Sequence, residues 1–392
     1  MNETFINRER EVANREREIV EIARSSVEAG LSGQQFIAKY NGLHPIEIKT
    51  ALSDSGANAL FNEACADILI EGPTLHEIIR EDNPALSFWP FTHDTAADIS
   101  ERTKSFSKIA LLGTPSLFSI AKHRLAGTPS EVYLFDQDNY LFSETTEGFF
   151  KCDISEVPKS FKDEFDLVIA DPPWYPDDYR RWLSVATCVV RPGGTVIFVL
   201  FPEGVRETAK GERRAILELA DSLFSSVSIE RARVLYETPS FEQVQLIRSG
   251  IAPLNWRSAD LVIGQARSEK VLIGEGFRGQ QESWIERRIG SGRIFVNVHK
   301  PSQHESEWLN TANNGDRFLS SPSRRDGALP KANILSSRGH GLVCADPMKF
   351  TKLVERIESV SDIGDASSAI GGQSGKLFEL VANDLWGRYI IL

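Results

Sequence analysis

Cysteine is scarce in this chain. The 392 residues hold four, Cys65, Cys152, Cys188 and Cys344, far apart, with no C-x-x-C pair and no histidine at zinc-ligand spacing. That argues against a disulfide framework and a zinc site, and reduced thiols in a cytoplasmic protein are the expectation. No apolar run approaches the ~18 residues that would suggest a membrane span. Met1–Thr4 opens onto charge, so neither a secretory signal nor a membrane partner is expected. Positive charge is not in excess either. A formal net charge of −11 argues against a protein that coats nucleic acid without preference, while leaving room for a local basic face. Repeats and low-complexity tracts are absent as well. What is present is an ordinary globular composition, 41% hydrophobic and 25% charged, long enough for two or three domains at roughly 150 residues each.

Charge and periodicity divide the chain into three expected segments, 1–104, 105–264 and 265–392. The first is helical. Arg8-Glu9-Arg10-Glu11 and Arg15-Glu16-Arg17-Glu18 place opposite charges three and four apart along an exposed helix from Asn2 to about Ala29. Shorter helices follow near Gln34–Tyr40 and Pro45–Leu52, more in keeping with a helical cap on the next domain than with a helix-turn-helix. From Lys108 onward, short apolar runs alternate with helical segments: strands at Lys108–Leu112, Val132–Phe135, Phe149–Cys152, Asp166–Ala170 and Thr195–Phe201, and helices at Leu117–Arg124, Asp178–Val190 and Glu207–Phe224. That alternation predicts a parallel sheet with helices on both faces. Val227–Tyr236 and Leu261–Gly264, separated by a helical Phe241–Arg248, suit two more strands at one sheet edge. Beyond Gly264 the order loosens into a strand at Arg293–Val298, a long loop at His304–Gly327, a soft stretch at Ser359–Gly375 and a last helix at Lys376–Leu385. Between Val271 and His340 ten Lys or Arg stand against seven Asp or Glu.

Chemistry concentrates at Asp171-Pro172-Pro173-Trp174, directly after the strand Asp166–Ala170. Doubly wound sheets bind ligands outside the carboxyl ends of their strands. An amine on a planar group is a poor nucleophile because its lone pair is delocalised. The Asp171 carboxylate and the Pro172 carbonyl can each accept one of its N–H bonds and draw the nitrogen toward tetrahedral geometry. Pro172 and Pro173 stiffen the backbone that presents that carbonyl. Trp174 offers a face for a base or a cationic amine. Asp136 lies 23 residues past Gly113 (136 − 113), where an acid at a second strand end meets a ribose diol.

Val168-Ile169-Ala170-Asp171-Pro172-Pro173-Trp174 resembles the N6-adenine methyltransferase signature, and Arg191-Pro192-Gly193-Gly194 is similar to a turn of class I methyltransferases. Leu111-Leu112-Gly113-Thr114-Pro115-Ser116-Leu117-Phe118, with Tyr133-Leu134-Phe135-Asp136-Gln137-Asp138, resembles one branch, the N6-adenine-methyltransferase-like family that includes the elongation-factor lysine methyltransferases. The resemblance covers about Lys108–Phe201. It implies a Rossmann-like class I α/β methyltransferase sheet, flanked by an N-terminal helical region and a C-terminal accessory region. It also implies S-adenosyl-L-methionine as cofactor, bordered by Gly113, Thr114 and Ser116, with Asp136 or Asp138 at its ribose and Asp153 at its adenine. The first loop departs from Gly-x-Gly-x-Gly, which physics permits because no phosphate needs cradling.

The expected acceptor is the exocyclic amine of a nucleic-acid base, adenine N6 first, with a protein lysine as the alternative. Branched-polyamine aminopropyltransferases share Asp-Pro-Pro-aromatic and a leading helical domain, but favour an acid-rich first loop that Gly113–Ser116 lacks. A catalytically silent cofactor- or partner-binding protein is a further alternative, against which the intact Asp171–Trp174 run counts. No metal is required, since a sulfonium is already an activated donor. Among other candidates, Glu237 or Glu242 could read an amine, although Tyr236–Glu242 with Ser240 as N-cap also reads as a plain strand-to-helix connection. Phe88–Asp94 reads as a hydrophobic clamp, Pro202-Glu203-Gly204 could edge the pocket, and Arg287, Arg288, Arg324 and Arg325 could touch phosphate.

Overall fold

The computed structural model describes residues 3–40, 42–70, 75–77, 80–86, 88–269, 284–300, 308–321, 323, 327–360, 363–386 and 389–391. The chain separates into two compact units, neither continuous in sequence. One comprises Met1–Leu69, Pro90–Glu237 and Leu254–Arg278; the other comprises Ile70–Trp89, Thr238–Pro253 and Gly279–Leu392. This differs from the three consecutive segments expected above. The excursions 70–89 and 238–253 leave the first unit between its own elements, and local periodicity carries no record of which core such an excursion joins.

The first unit opens with helices α1 (Glu3–Glu28), α2 (Gly33–Ala38), α3 (Pro45–Asp54) and α4 (Asn58–Ala64). Ser32 caps α2 through a capping box with Gln35, and Pro45 opens α3 at a position where no amide is needed. Phe36, Ile48, Leu52 and Phe61 are fully buried among these helices. Helix α4, not anticipated from the sequence, carries Phe61 and Ala64 into the same core. Helix α5 (His93–Glu101) follows.

Seven strands form the sheet: β1 (Lys108–Leu112), β2 (Glu131–Asp136), β3 (Phe149–Lys151), β4 (Phe165–Ala170), β5 (Val190–Leu200), β6 (Phe224–Leu235) and β7 (Ser258–Ala266). Their spatial order is β3-β2-β1-β4-β5-β7-β6. The first five are parallel; β7 runs antiparallel to both β5 and β6. Helices α6 (Pro115–Arg124), α7 (Pro176–Val189) and α8 (Ala209–Leu223) make the crossovers. The central strand β4 is buried at every position, as its run of Phe165, Leu167, Val168, Ile169 and Ala170 requires of a strand covered on both faces. Each such large apolar side chain contributes about 1.5–3 kcal/mol. Pro192-Gly193-Gly194, expected as a turn between helix and strand, instead lies inside β5. The strand starts directly at the end of α7, with Gly193 at φ +72° and a register shift against β4 between Phe165 and Leu167.

The second unit is an antiparallel five-stranded sheet of β8 (Trp284–Ile289), β9 (Gly292–Asn297), β10 (Leu309–Thr311), β11 (Ile334–Ser336) and β12 (Gly341–Cys344), in the order β10-β12-β11-β9-β8. It also holds α9 (Ser240–Arg248), which the sequence reading leaves between the last two strands of the first sheet. A hairpin, β8 to β9, replaces the single strand expected at Arg293–Val298. Alternating residues face two cores. Ile294, Val296, Ile334 and Leu342 pack with α10 (Pro347–Val360) and α12 (Gly372–Trp386), and Phe295, Leu335 and Val343 pack with Leu319 and Ala332. Helix α11 (Ile363–Ile370) lies in the stretch read as soft; Ile363 and Ile370 anchor it to the first of these cores. Arg324 and Arg325 lie outside the described residues.

Candidate active site

The rim of the first sheet is set by strand direction. Strands β1, β2, β4, β5 and β6 all end there, while β7 begins there. Asp171 therefore follows β4 onto the same rim as Gly113 after β1, Asp136 at the end of β2, Phe201 after β5, Tyr236 after β6 and Arg257 just before β7.

The Asp171–Trp174 turn is held from several sides. The Asp171 amide donates to the Leu112 carbonyl at 3.2 Å, continuing the β1–β4 ladder by one residue. The Tyr175 amide returns to the Pro173 carbonyl at 2.7 Å, and Pro176 then opens α7. The Arg206 guanidinium donates to the Trp174 carbonyl at 2.7 Å while pairing with Glu212 and stacking 4.2 Å from the Phe201 ring. Arg206 thus fastens the turn to the loop after β5.

Asp171 Oδ1 accepts the Tyr236 hydroxyl at 2.8 Å. Burial pushes the carboxyl up to about 7, against the opposing pull of the Tyr236 hydrogen bond and the nearby Arg257 charge. Tyr236 is itself buried and is held well above its usual range by burial and by Asp171. Trp174 is only 6% exposed. Its ring meets Tyr236 edge-on at 6.0 Å and Phe201 at 6.0 Å, and the Arg257 guanidinium lies 3.7 Å over it. The indole expected to receive the acceptor directly therefore already carries a cation on its face.

The first loop tests the fit of S-adenosylmethionine. Gly113 sits at φ +63°, and a Cβ there would stand 2.3 Å from the Trp182 ring of α7. Only glycine fits. Two buried polar atoms, Thr114 Oγ1 in this loop and Nε1 of Trp182, whose ring packs on Gly113, have no hydrogen-bond partner among the described residues, an arrangement suited to a polar ligand. Asp136 closes β2 with its carboxylate accepting the Asp138 amide at 2.8 Å; burial pushes it up to about 7, with the neighbouring Asp138 charge adding to the rise. Asp138 in turn accepts the Tyr140 amide at 2.9 Å. Ser116 accepts the Phe91 amide at 3.0 Å, which ties the segment before α5 to the start of α6. Asp153 caps the turn after β3 through the Ser155 amide at 2.8 Å and also accepts the Gln137 side chain. These residues fit the cofactor, with Gly113, Thr114 and Asp136 the best placed of the set.

Sequence reasoning passed over four participants. It picked Glu237 and Glu242 from the run that holds Tyr236, but the Glu237 amide pairs with the Pro90 carbonyl, and Glu242 belongs to the second unit. Arg257 and Trp182 stand outside every motif. Arg206 follows Pro202-Glu203-Gly204, the edge that was singled out. The N-terminal helices reach that edge: Gly42 packs on Pro202, and Arg15 donates to the Gly204 carbonyl at 3.2 Å. Ser240, expected as an N-cap, follows the cap position at Pro239, and its hydroxyl donates to the Ser337 carbonyl at 2.6 Å instead. Arg287 pairs with Glu355, and Arg288 with Glu286.

Residues 73–210 match the model of the family described as Probable N6-adenine methyltransferase. With the Rossmann-like sheet, that match makes the chain an S-adenosylmethionine-dependent methyltransferase. Within that class its resemblance is to the N6-adenine methyltransferase family, over a span running from before α5 into the start of α8. Among curated proteins, none matches the chain. Among solved structures it is similar to the branched-chain polyamine synthase of Thermus thermophilus in complex with N4-aminopropylspermidine and 5′-methylthioadenosine. The two share 13% identity over 66% of this chain and 90% of that one, with a TM-score of 0.47. It is also similar to a 16S rRNA N2 methyltransferase of T. thermophilus in complex with AdoMet and guanosine, at 13% identity, 56% and 51% coverage, and a TM-score of 0.31. A third is an O-methyltransferase of Thermotoga maritima, at 12% identity, 46% and 67% coverage, and a TM-score of 0.31.

Among the described residues no helix is long and apolar enough to cross a membrane, and no cluster of three or more His, Cys, Asp or Glu could hold a metal ion.

Proposed function

We propose that the protein methylates the exocyclic amine of a nucleic-acid base, with adenine N6 as the first acceptor. One observation carries the reading: the Asp171 carboxylate stands at the carboxyl end of β4 with one oxygen fixed by Tyr236, beside the aromatic and guanidinium surface of Trp174 and Arg257. When bound, S-adenosylmethionine supplies a methyl carbon activated by the sulfonium. Tyr236 holds the carboxylate in one orientation, and the second oxygen accepts an N–H of the amine. The Pro172 carbonyl accepts the other. Bonded this way, the nitrogen lone pair is freed from the ring and directed at the methyl carbon. As the N–C bond forms the methyl–sulfur bond breaks, its electron pair staying on a sulfur that becomes a neutral thioether, and the amine loses one proton, which Asp171 can take at neutral pH. Positioning and exclusion of water supply most of the acceleration. Gly113, Thr114 and Asp136 hold the cofactor, and the N-terminal helices brace the β5 edge of the acceptor site. The partner is then nucleic acid and the compartment the cytoplasm, consistent with four free cysteines.

The test is methyl transfer from labelled S-adenosylmethionine into cell extract, separated into nucleic-acid and protein fractions, with Asp171→Ala as control. Nuclease-sensitive label that vanishes in the variant supports the reading. Protease-sensitive label would move the acceptor to a lysine and overturn it.

A further inference from the structure

We infer that Gln137, its side-chain amide held by Asp153, reads the adenine of the cofactor, and that Asp153 positions Gln137 without touching the base. The inference rests on the assignment of S-adenosylmethionine to this rim and is independent of which acceptor is methylated. Strands β3, β2, β1 and β4 lie in that order and run parallel, so their carboxyl ends form one row. The methyl carbon has to reach an amine at Asp171, after β4, while the ribose belongs at Asp136, two strands or roughly 10 Å away. In the cofactor the sulfonium and the base leave the ribose on opposite sides. With the sulfonium directed toward β4, the base lies beyond β2, toward β3. Gln137 follows Asp136 there, and Asp153 stands just past the end of β3.

The family resemblance implies Asp153 at the adenine, but that carboxylate is already engaged. One oxygen accepts both the amide and the hydroxyl of Ser155, and the other accepts the Gln137 side-chain amide. Asp153 is only 6% exposed. Gln137 is half-buried, and its backbone amide donates to the Asp136 carboxylate. Its side-chain oxygen, Oε1, bonds to none of the described residues. A carboxylate only accepts, so Asp153 fixes which end of the Gln137 amide faces it: the nitrogen turns to Asp153 and the oxygen is left for the base.

That orientation selects the base. Adenine carries N–H donors on its 6-amino group, and an acceptor fixed in place takes one of them. Hypoxanthine presents a 6-carbonyl, which meets the Gln137 oxygen as acceptor against acceptor. A glutamine at liberty to turn its amide would suit either base. The bond to Asp153 removes that liberty, so a residue that never meets the base decides which base is bound.

The experiment measures calorimetric binding of S-adenosylhomocysteine and of S-inosylhomocysteine, its hypoxanthine counterpart, to the full chain. The wild type should bind the adenine form roughly 10- to 100-fold more tightly, the range set by one mispaired polar group. Gln137→Met keeps the bulk without the acceptor, so the preference should collapse. Asp153→Asn leaves its oxygen on Ser155 and turns its nitrogen to Gln137, which then offers its own nitrogen to the base. In that variant the preference should reverse toward hypoxanthine. In the double variant, Gln137→Met with Asp153→Asn, no reversal should remain. A preference that survives Gln137→Met, or a reversal that persists in the double variant, overturns the inference and returns the base to Asp153. An Asp153→Asn variant with the wild-type preference overturns the positioning role. If a thermal melt shows Asp153→Asn to be unfolded, Gln137→Met alone decides. Equal binding of the two ligands by the wild type overturns the inference while leaving the cofactor assignment standing; a wild type that binds neither sinks the cofactor assignment itself.

Discussion

Replacing Asp171 by asparagine should abolish methyl transfer and, at the same time, make the protein more stable at neutral pH. The second effect follows from burial. In an unfolded chain the carboxyl releases its proton near 3.8; in the folded chain burial holds the proton until about 7. At about 1.4 kcal/mol for each unit of pKa, ionised Asp171 costs the fold about 4 kcal/mol. Partial solvent access reduces this to about 2–4 kcal/mol. The sign is fixed by proton uptake. Between pH 4 and 7 the folded state holds a proton that the unfolded state has lost, so the Asp171 contribution to stability falls as pH rises through that window. Asparagine is neutral throughout and keeps an oxygen to accept the Tyr236 hydroxyl. Urea denaturation of wild type and Asp171→Asn at pH 4, 6 and 8 should show a gap in favour of the variant that is small at pH 4 and greatest at pH 8. The variant should bind S-adenosylmethionine with wild-type affinity. A gap that does not widen with pH would refute the burial argument, and loss of cofactor binding would refute the assignment of Asp171 to the acceptor side.

Tyr236→Phe removes the donor that fixes Asp171. A hydrogen bond to a charged group contributes about 1.5–3 kcal/mol, so kcat/KM should fall about 10- to 100-fold. Because that bond holds the Asp171 pKa down, the rise of kcat/KM with pH, centred near 7 in the wild type, should move to higher pH; a pH–rate profile checks both. Gly113→Ala places a methyl group against the Trp182 ring at a left-handed backbone position, costing about 1–2 kcal/mol before the clash is counted. A thermal melt should show a lower Tm, and calorimetry weaker cofactor binding. In the second unit, His340 is buried between Ser336 and Asp384, and burial lowers its pKa below 6.5. The unfolded state then takes up a proton first, so stability should drop as pH falls below about 6.5. His340→Gln should flatten that limb in denaturation curves.

The parallel sheet was legible because its strands are continuous apolar runs that each end at a punctuating residue: Gly113, Asp136, Asp153, Asp171. A fully buried strand has no polar face, so Phe165–Ala170 announces itself, and the motif after it inherits a position on the rim. The second unit was much less legible. Its strands at Leu309–Thr311 and Ile334–Ser336 are three residues long, too short for any period to register. Much of its interior is polar. Arg293 and Arg338 are among the most buried side chains in the protein, neutralised by Glu286 and Glu81 at 2.8 and 2.7 Å. In the sequence, such arginines look like solvated surface, because what buries them is a carboxylate more than 250 positions away in the case of Glu81 and Arg338.

The candidate site divides along the same line. Asp171 and Trp174 could be found because a local motif sits behind a recognisable strand. Arg257 could not, because its placement depends on the direction of one strand, whereas Tyr236 opens the run after β6 that was singled out for Glu237 and Glu242. Had β7 run parallel to β5, Arg257 would lie at the opposite edge of the sheet, some nine residues of strand from Trp174. Antiparallel insertion of β7 between β5 and β6 reverses that, bringing the residue before the strand level with those that follow the others. The sequence carries the apolar run of β7 but no marker of its direction. A site assembled from one motif and one topological reversal is therefore half visible before the fold is known. The hidden half is Arg257 on the indole, together with the Tyr236 hydroxyl on the Asp171 carboxylate, a contact that no local motif marks.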